Sequence, residues 1–150
     1  MRFYLVDRIL ELQPPGRIVA VKSLSLAEEY LADHFPAYPV LPGVMMLEAL
    51  VQAAAWLVRV STDFQKSLVL MREAQNVRYG NFVRPGGQLV MEVEAIEIGP
   101  GASRFKAVGQ CDGQQAVQAK LTLEHFNVGD EDPLRADLDG FGREINYGDW

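Results

Sequence analysis

An α+β domain is predicted by three features of this chain: strand-like runs before a single apolar helix, four more runs after it, and turn residues between the runs that make hairpins rather than helical crossovers. Phe3–Leu12 and Arg17–Leu24 are rich in aliphatic and β-branched residues, and Pro14-Pro15-Gly16 between them is turn chemistry. Ser25 followed by Glu28 has capping-box spacing ahead of a short helical turn over Ala27–Ala32. The long helix is expected over Val44–Val60, stopping near Ser61-Thr62-Asp63. The runs Ser67–Tyr79, Gln88–Ile98, Ala102–Cys111 and Gln114–Phe126 then read as strands, divided by Pro85-Gly86-Gly87, Gly99-Pro100-Gly101 and Asp112-Gly113. Asp-Gly between two such runs is a strong hairpin signal.

At 150 residues and 49% hydrophobic, the chain can bury one proper core. Its formal charge of −6 is unevenly placed, because residues 127–150 carry seven acids (Asp130, Glu131, Asp132, Asp137, Asp139, Glu144, Asp149) against Arg135 and Arg143. We therefore divide it into a domain over residues 1–126 and an acidic extension over 127–150, in which Leu134, Leu138, Phe141 and Ile145 recur at near-helical spacing. A nearly neutral body with an acidic tail argues against nucleic acid as a partner, since phosphate binding needs a basic face. One cysteine, Cys111, suits a reducing compartment, and no export signal is apparent, so a cytoplasmic location is expected. Two histidines and one cysteine without ligand spacing give no case for a metal, and no phosphate-binding loop appears, so no cofactor is expected.

Chemistry concentrates between Asp33 and Arg59. From Val44 to Val58 the only polar residues are Glu48 and Gln52, one helical turn apart on the same face, with Arg59 near the same line. A helix apolar nearly all round must be wrapped, here by protein, because a bilayer span needs about 20 apolar residues without such a carboxylate. A buried carboxyl favours its protonated form unless paired; the plain alternative for Glu48 is an ion pair with an arginine. Pro36, Pro39 and Pro42 stiffen the approach to the helix. Gly43 stands at its start, where unpaired N–H groups and the helix dipole can hold a developing oxyanion, and His34 lies just upstream. A base, an acid and oxyanion donors thus share one short stretch. Gln52 is expected to orient Glu48, His125 to be a surface or core residue, Cys111 to be no nucleophile, and Met45 and Met46 to fill the core or line an acyl tunnel.

The run His34-Phe35-Pro36-Ala37-Tyr38-Pro39-Val40-Leu41-Pro42-Gly43-Val44, with Leu47-Glu48-Ala49 and Gln52, closely resembles the signature of the (3R)-hydroxyacyl-acyl carrier protein dehydratases. Tyr4-Leu5-Val6-Asp7-Arg8, Arg84-Pro85-Gly86-Gly87-Gln88-Leu89 and Arg104-Phe105-Lys106 extend the resemblance over roughly residues 3–124. It implies a hotdog fold, a curved antiparallel sheet around one central helix. It also implies dehydration of a (3R)-3-hydroxyacyl chain on an acyl carrier protein, with His34 and Glu48 catalytic and Phe35, Pro42, Gly43, Val44 and Gln52 binding substrate. By the same resemblance the protein forms a homodimer, or a hexamer built from three dimers, with His34 of one chain meeting Glu48 of the other. Alternatives within the architecture are a thioesterase, an enoyl hydratase, or a silent subunit that binds acyl carriers. Ala37, where the family usually has glycine, and Gly87, where it usually has aspartate, are departures; Ala37 bears on the loop because glycine reaches angles that alanine avoids.

Overall fold

A computed structural model describes residues 3–127 and Ile145. Six strands form one antiparallel sheet: β1 (Arg8–Gln13), β2 (Arg17–Ser23), β3 (Leu68–Tyr79), β4 (Gln88–Ile98), β5 (Ala102–Cys111) and β6 (Gln114–Phe126), in the order β1-β2-β4-β5-β6-β3. Strands β2 to β6 all pack against one helix, α1 (Gly43–Ser61). Alternation explains the layering. Along β4, Leu89, Met91 and Val93 point into the core and are fully buried, whereas Gln88, Glu92 and Glu94 face out. The turn after β5 places Asp112 at φ 52° and Gly113 at φ 73°, the two positive values that a tight hairpin requires.

The helix α1 starts one residue earlier and ends one residue later than expected. Its end is made by Thr62, whose Oγ1 donates to Val58 O at 2.8 Å, and by Asp63 and Phe64 with positive φ, which turn Phe64 back against Trp56. By length and hydropathy α1 could cross a membrane, but ten of its residues are buried inside the domain.

Two expectations are corrected. The first strand begins at Arg8, not Phe3, because the backbone of residues 3–5 pairs with a side chain of α1 instead of a neighbouring strand. The short turn is a 3-10 helix over Glu29–Ala32, starting two residues later than expected. The two edges of the sheet differ. At β1, Ile9 N–H donates to Ile145 O at 2.9 Å, and the Ile145 side chain is 3% exposed within the core cluster. At the other edge, β3 is paired with β6 alone and exposes Leu70, Met71 and Tyr79. Leu134, Leu138 and Phe141 lie outside the described residues.

Candidate active site

The loop between the 3-10 turn and α1 is fastened at both ends. Val40 and Leu41 are buried, Val40 N–H donates to His34 O at 3.1 Å, and Leu41 N–H donates to Val83 O at 2.9 Å in the β3–β4 connection. Phe35 and Tyr38 exchange backbone bonds of 3.2 and 3.0 Å, closing a turn in which Ala37 keeps a negative φ, so the alanine fits this loop as it stands. Outside, the Arg84 guanidinium lies 4.6 Å over the Tyr38 ring and donates to its Oη, and Phe82 meets Tyr38 edge-on. Arg84 and Phe82 were not anticipated as supports for the loop, and no local signal marks them.

His34 is half-buried, and its Nδ1 lies 3.0 Å from Val40 O. A carbonyl only accepts, so Nδ1 carries the hydrogen and the neutral ring keeps its lone pair on Nε2. The Phe35 ring stacks on the imidazole at 4.3 Å between centroids. Those two contacts fix both the tautomer and the plane of the imidazole.

At the mouth of α1, Pro42 is the N-cap, and its carbonyl accepts from Met45 N–H and Met46 N–H at 2.9 and 3.1 Å. The N–H groups of Gly43 and Val44 have no acceptor among the described residues, and the first turn holds no acidic side chain. Glycine at 43 makes room for a residue far away in sequence: a Cβ there would sit 3.0 to 3.3 Å from three atoms of the Tyr79 ring, at the end of β3, so the ring would have to give by a few tenths of an ångström. Phe35, Val44, Tyr79 and Phe82 are all exposed, giving an apolar surface on the loop, the helix start and the end of the β3 edge.

One turn further along α1, Glu48 is half-buried, not buried as expected, because the helix face it occupies is only partly covered by this chain. Among the described residues Glu48 meets no arginine, and Arg59 lies 5.8 Å from the Trp56 ring. There the Arg59 Nε is buried without a partner among the described residues, and desolvation pulls the guanidinium pKa down to about 10. Glu48 Oε1 accepts from Gln52 Nε2 at 3.1 Å, the i, i+4 contact that the helix spacing predicts. Among the described residues no hydrogen bond or ion pair joins His34 to Glu48 within one chain, and no three metal-ligating side chains converge.

The remaining candidates lie apart from this site. His125 proves to be a core residue, 2% exposed, with Nε2 2.9 Å from the buried Ser103 Oγ. Cys111 is buried, and desolvation, with Asp112 beside it, pushes its thiol pKa up, as befits an inert cysteine.

A family model described as a FabA-like domain matches residues 1–120. The chain belongs to the FabA-like family. Among its FabA-like relatives, a 3-hydroxyacyl-(acyl-carrier-protein) dehydratase FabZ of Albidiferax ferrireducens is 42% identical over 123 residues, covering 80% of this chain and 82% of that one. Its counterpart in Bacillus thuringiensis is 38% identical over 129 residues, covering 86% and 88%. Solved structures confirm the hotdog fold. The dehydratase heterocomplex ApeI:P of Xenorhabdus doucetiae matches with TM-score 0.68 at 16% identity, covering 83% of this chain and 84% of that one. A mutant thioesterase PA1618 of Pseudomonas aeruginosa matches with TM-score 0.62 at 14% identity, covering 81% of each. The FabA-like match ends before the close of β6, so Ile145 is a contribution from outside it.

Proposed function

We propose that this FabA-like protein is a 3-hydroxyacyl-carrier dehydratase, removing water from a (3R)-3-hydroxyacyl thioester on acyl carrier protein to leave the trans-2-enoyl thioester, in fatty-acid or related lipid synthesis. The observation that supports the mechanism is the His34 Nδ1 contact with Val40 O, which leaves the Nε2 lone pair available as a base on the loop that leads into the start of α1. His34 Nε2 takes the proton from the carbon next to the thioester carbonyl. The N–H groups of Gly43 and Val44, backed by the helix dipole, hold the negative charge that builds on the thioester oxygen. As that charge returns to form the carbon–carbon double bond, the bond to the β-hydroxyl breaks, and Glu48 supplies the proton that lets it depart as water. A proton passed from His34 back to Glu48 through solvent resets the pair, and hydration runs the same steps in reverse.

Phe35, Pro42 and Val44 border this path and would hold the pantetheine arm and first carbons of the acyl chain, while Gln52 sits behind Glu48. The reading includes a homodimer in which His34 of each chain works with Glu48 of its partner, with three dimers able to form a hexamer. Its support is the β3 edge, with exposed Leu70, Met71 and Tyr79 beside a strand-pairing side that β6 leaves open. A carrier-bound substrate and a single free cysteine fit the cytoplasm.

The test is to incubate the protein with 3-hydroxyacyl carrier thioesters of graded chain length and follow products by mass spectrometry. Enoyl thioester is the expected product, with His34→Ala and Glu48→Gln each folded and slower by roughly 100- to 10,000-fold. Hydrolysed free acid would replace the reading by a thioesterase. Full activity in either variant would remove that residue from the mechanism.

A further inference from the structure

Two close approaches seat the Tyr79 ring between the sheet and the start of the helix. On β3, Tyr79 lies opposite Val117 of β6, which is fully buried, so its side chain leaves the sheet on the face that carries α1. There the ring meets Gly43: Cε1, Cδ1 and Cζ lie 3.0, 3.1 and 3.3 Å from the point that a Cβ of residue 43 would occupy. The backbone after Tyr79 is fixed as tightly. A Cβ on Gly80 would overlap Gln115 O, Gly80 N–H donates to Ala116 O at 2.8 Å, and Asn81 N–H donates to Gln115 O at 3.1 Å. One glycine lets the end of β3 close on β6, and the other lets the first turn of α1 close on the phenol.

Packing accounts for the ring but not for its hydroxyl. Tyr79 is 50% exposed, and its Oη bonds to none of the described residues. Cζ, which carries that oxygen, is one of the three atoms against Gly43, so the O–H stands one bond away from the contact with the start of α1. There Gly43 and Val44 offer N–H groups that have no acceptor among the described residues, and no acidic side chain occupies the first turn. Two backbone donors and a phenol donor thus share the mouth of one helix, an arrangement suited to an oxygen that carries negative charge.

We infer that Tyr79 is a further catalytic residue, whose phenol O–H donates to the thioester oxygen beside the N–H groups of Gly43 and Val44 as negative charge builds there. The inference rests on the dehydratase reading. Tyr79 transfers no proton, and its O–H bond stays whole throughout. The carbon–hydrogen bond next to the carbonyl breaks, its proton goes to His34, and its electron pair moves onto the thioester oxygen, where the phenol meets it. When the β-hydroxyl departs with the proton from Glu48, that pair returns to form the carbon–carbon double bond and the hydrogen bond from Tyr79 weakens again. The donor speeds the reaction because it bonds the charged oxygen more strongly than the neutral thioester. A ring held between Gly43 and the clamped end of β3 already stands in place and needs no reorientation at that moment.

The experiment compares the full-length wild type with Tyr79→Phe, which removes one oxygen and keeps the ring. It measures kcat and KM for a 3-hydroxyacyl carrier thioester, the melting temperature, and the affinity of each protein for the thioether analogue in which CH2 replaces the carbonyl. Tyr79→Phe is expected to lose about 10- to 100-fold in kcat, with KM within about threefold and thioether affinity within about twofold of the wild type. Its melting temperature should not change. An unchanged kcat overturns the inference, because the hydroxyl would then be a solvated group on a packing ring. A KM or thioether affinity that worsens as far as kcat also overturns it, since the hydroxyl would be holding the carrier arm and not the oxygen. A melting temperature several degrees lower, or a variant that does not fold, does the same by giving the hydroxyl a partner in the fold. If the wild type yields no enoyl product, the dehydratase reading itself fails and this inference with it, whereas an active wild type with an equally active Tyr79→Phe removes the inference only.

Discussion

Acid should weaken this fold through one buried imidazole, His125. The ring is 2% exposed, its Nε2 meets Ser103 Oγ at 2.9 Å, and its Nδ1 has no partner among the described residues. Protonation would put a hydrogen on both nitrogens, and the one on Nδ1 would find no acceptor. Burial, with the charge of Lys66 as a second cause, holds the folded pKa below the ordinary 6.5. The unfolded chain therefore takes up a proton first as pH falls. Stability is complete above about pH 6.5 and declines below it, until the folded form also protonates. One proton changes stability by at most about 1.4 kcal/mol per pH unit, so moving from about pH 7.5 to about pH 5.5 costs up to about 1.4 kcal/mol, or roughly 3–6 °C in melting temperature for a domain of this size. Urea unfolding at the two pH values, at fixed protein concentration, measures it in the wild type and in His125→Gln, which can still bond Ser103 but does not titrate. The wild type should lose more on acidification than the variant. Equal losses in the two proteins would show that the imidazole is protonated in the fold without penalty and that its isolation has been misread.

Ile145 should be worth about 2 kcal/mol as an apolar anchor on the core next to β1, so Ile145→Ala is expected to lower the melting temperature by about 4–8 °C while leaving kcat within twofold; an unchanged melting temperature would show that the contact contributes nothing. Arg59 buries a guanidinium nitrogen that is unpaired among the described residues against Trp56, and Arg59→Met, similar in volume and free of that desolvation, should melt at the same temperature or higher. A drop of several degrees in calorimetry would mean that the arginine has a partner beyond the described residues.

The chemistry-bearing stretch was legible because its logic is local. Three prolines restrict His34–Gly43 residue by residue, an apolar period marks the helix, and a one-turn spacing puts Gln52 over Glu48 without any knowledge of the rest of the domain. The hairpins were equally readable, since Asp112-Gly113 carries its own turn geometry. Misreadings arose where a local pattern has more than one tertiary outcome. Phe3–Leu12 is rich in strand-forming residues, yet composition cannot say whether a backbone N–H will meet a neighbouring strand or the side chain of Gln52, 47 residues away from Leu5.

By itself, then, the order of residues determined the elements, the one apolar helix and the candidates for base, acid and oxyanion donors, because each follows from bond angles and spacings within a few turns of chain. Only the tertiary structure decided which His34 nitrogen keeps its lone pair, what a side chain at position 43 would crowd, and what steadies Gln52. The first depends on which carbonyl the closed loop turns toward the ring. The other two depend on contacts between residues many turns apart in the chain, and such contacts exist only once the sheet has chosen its register around the helix.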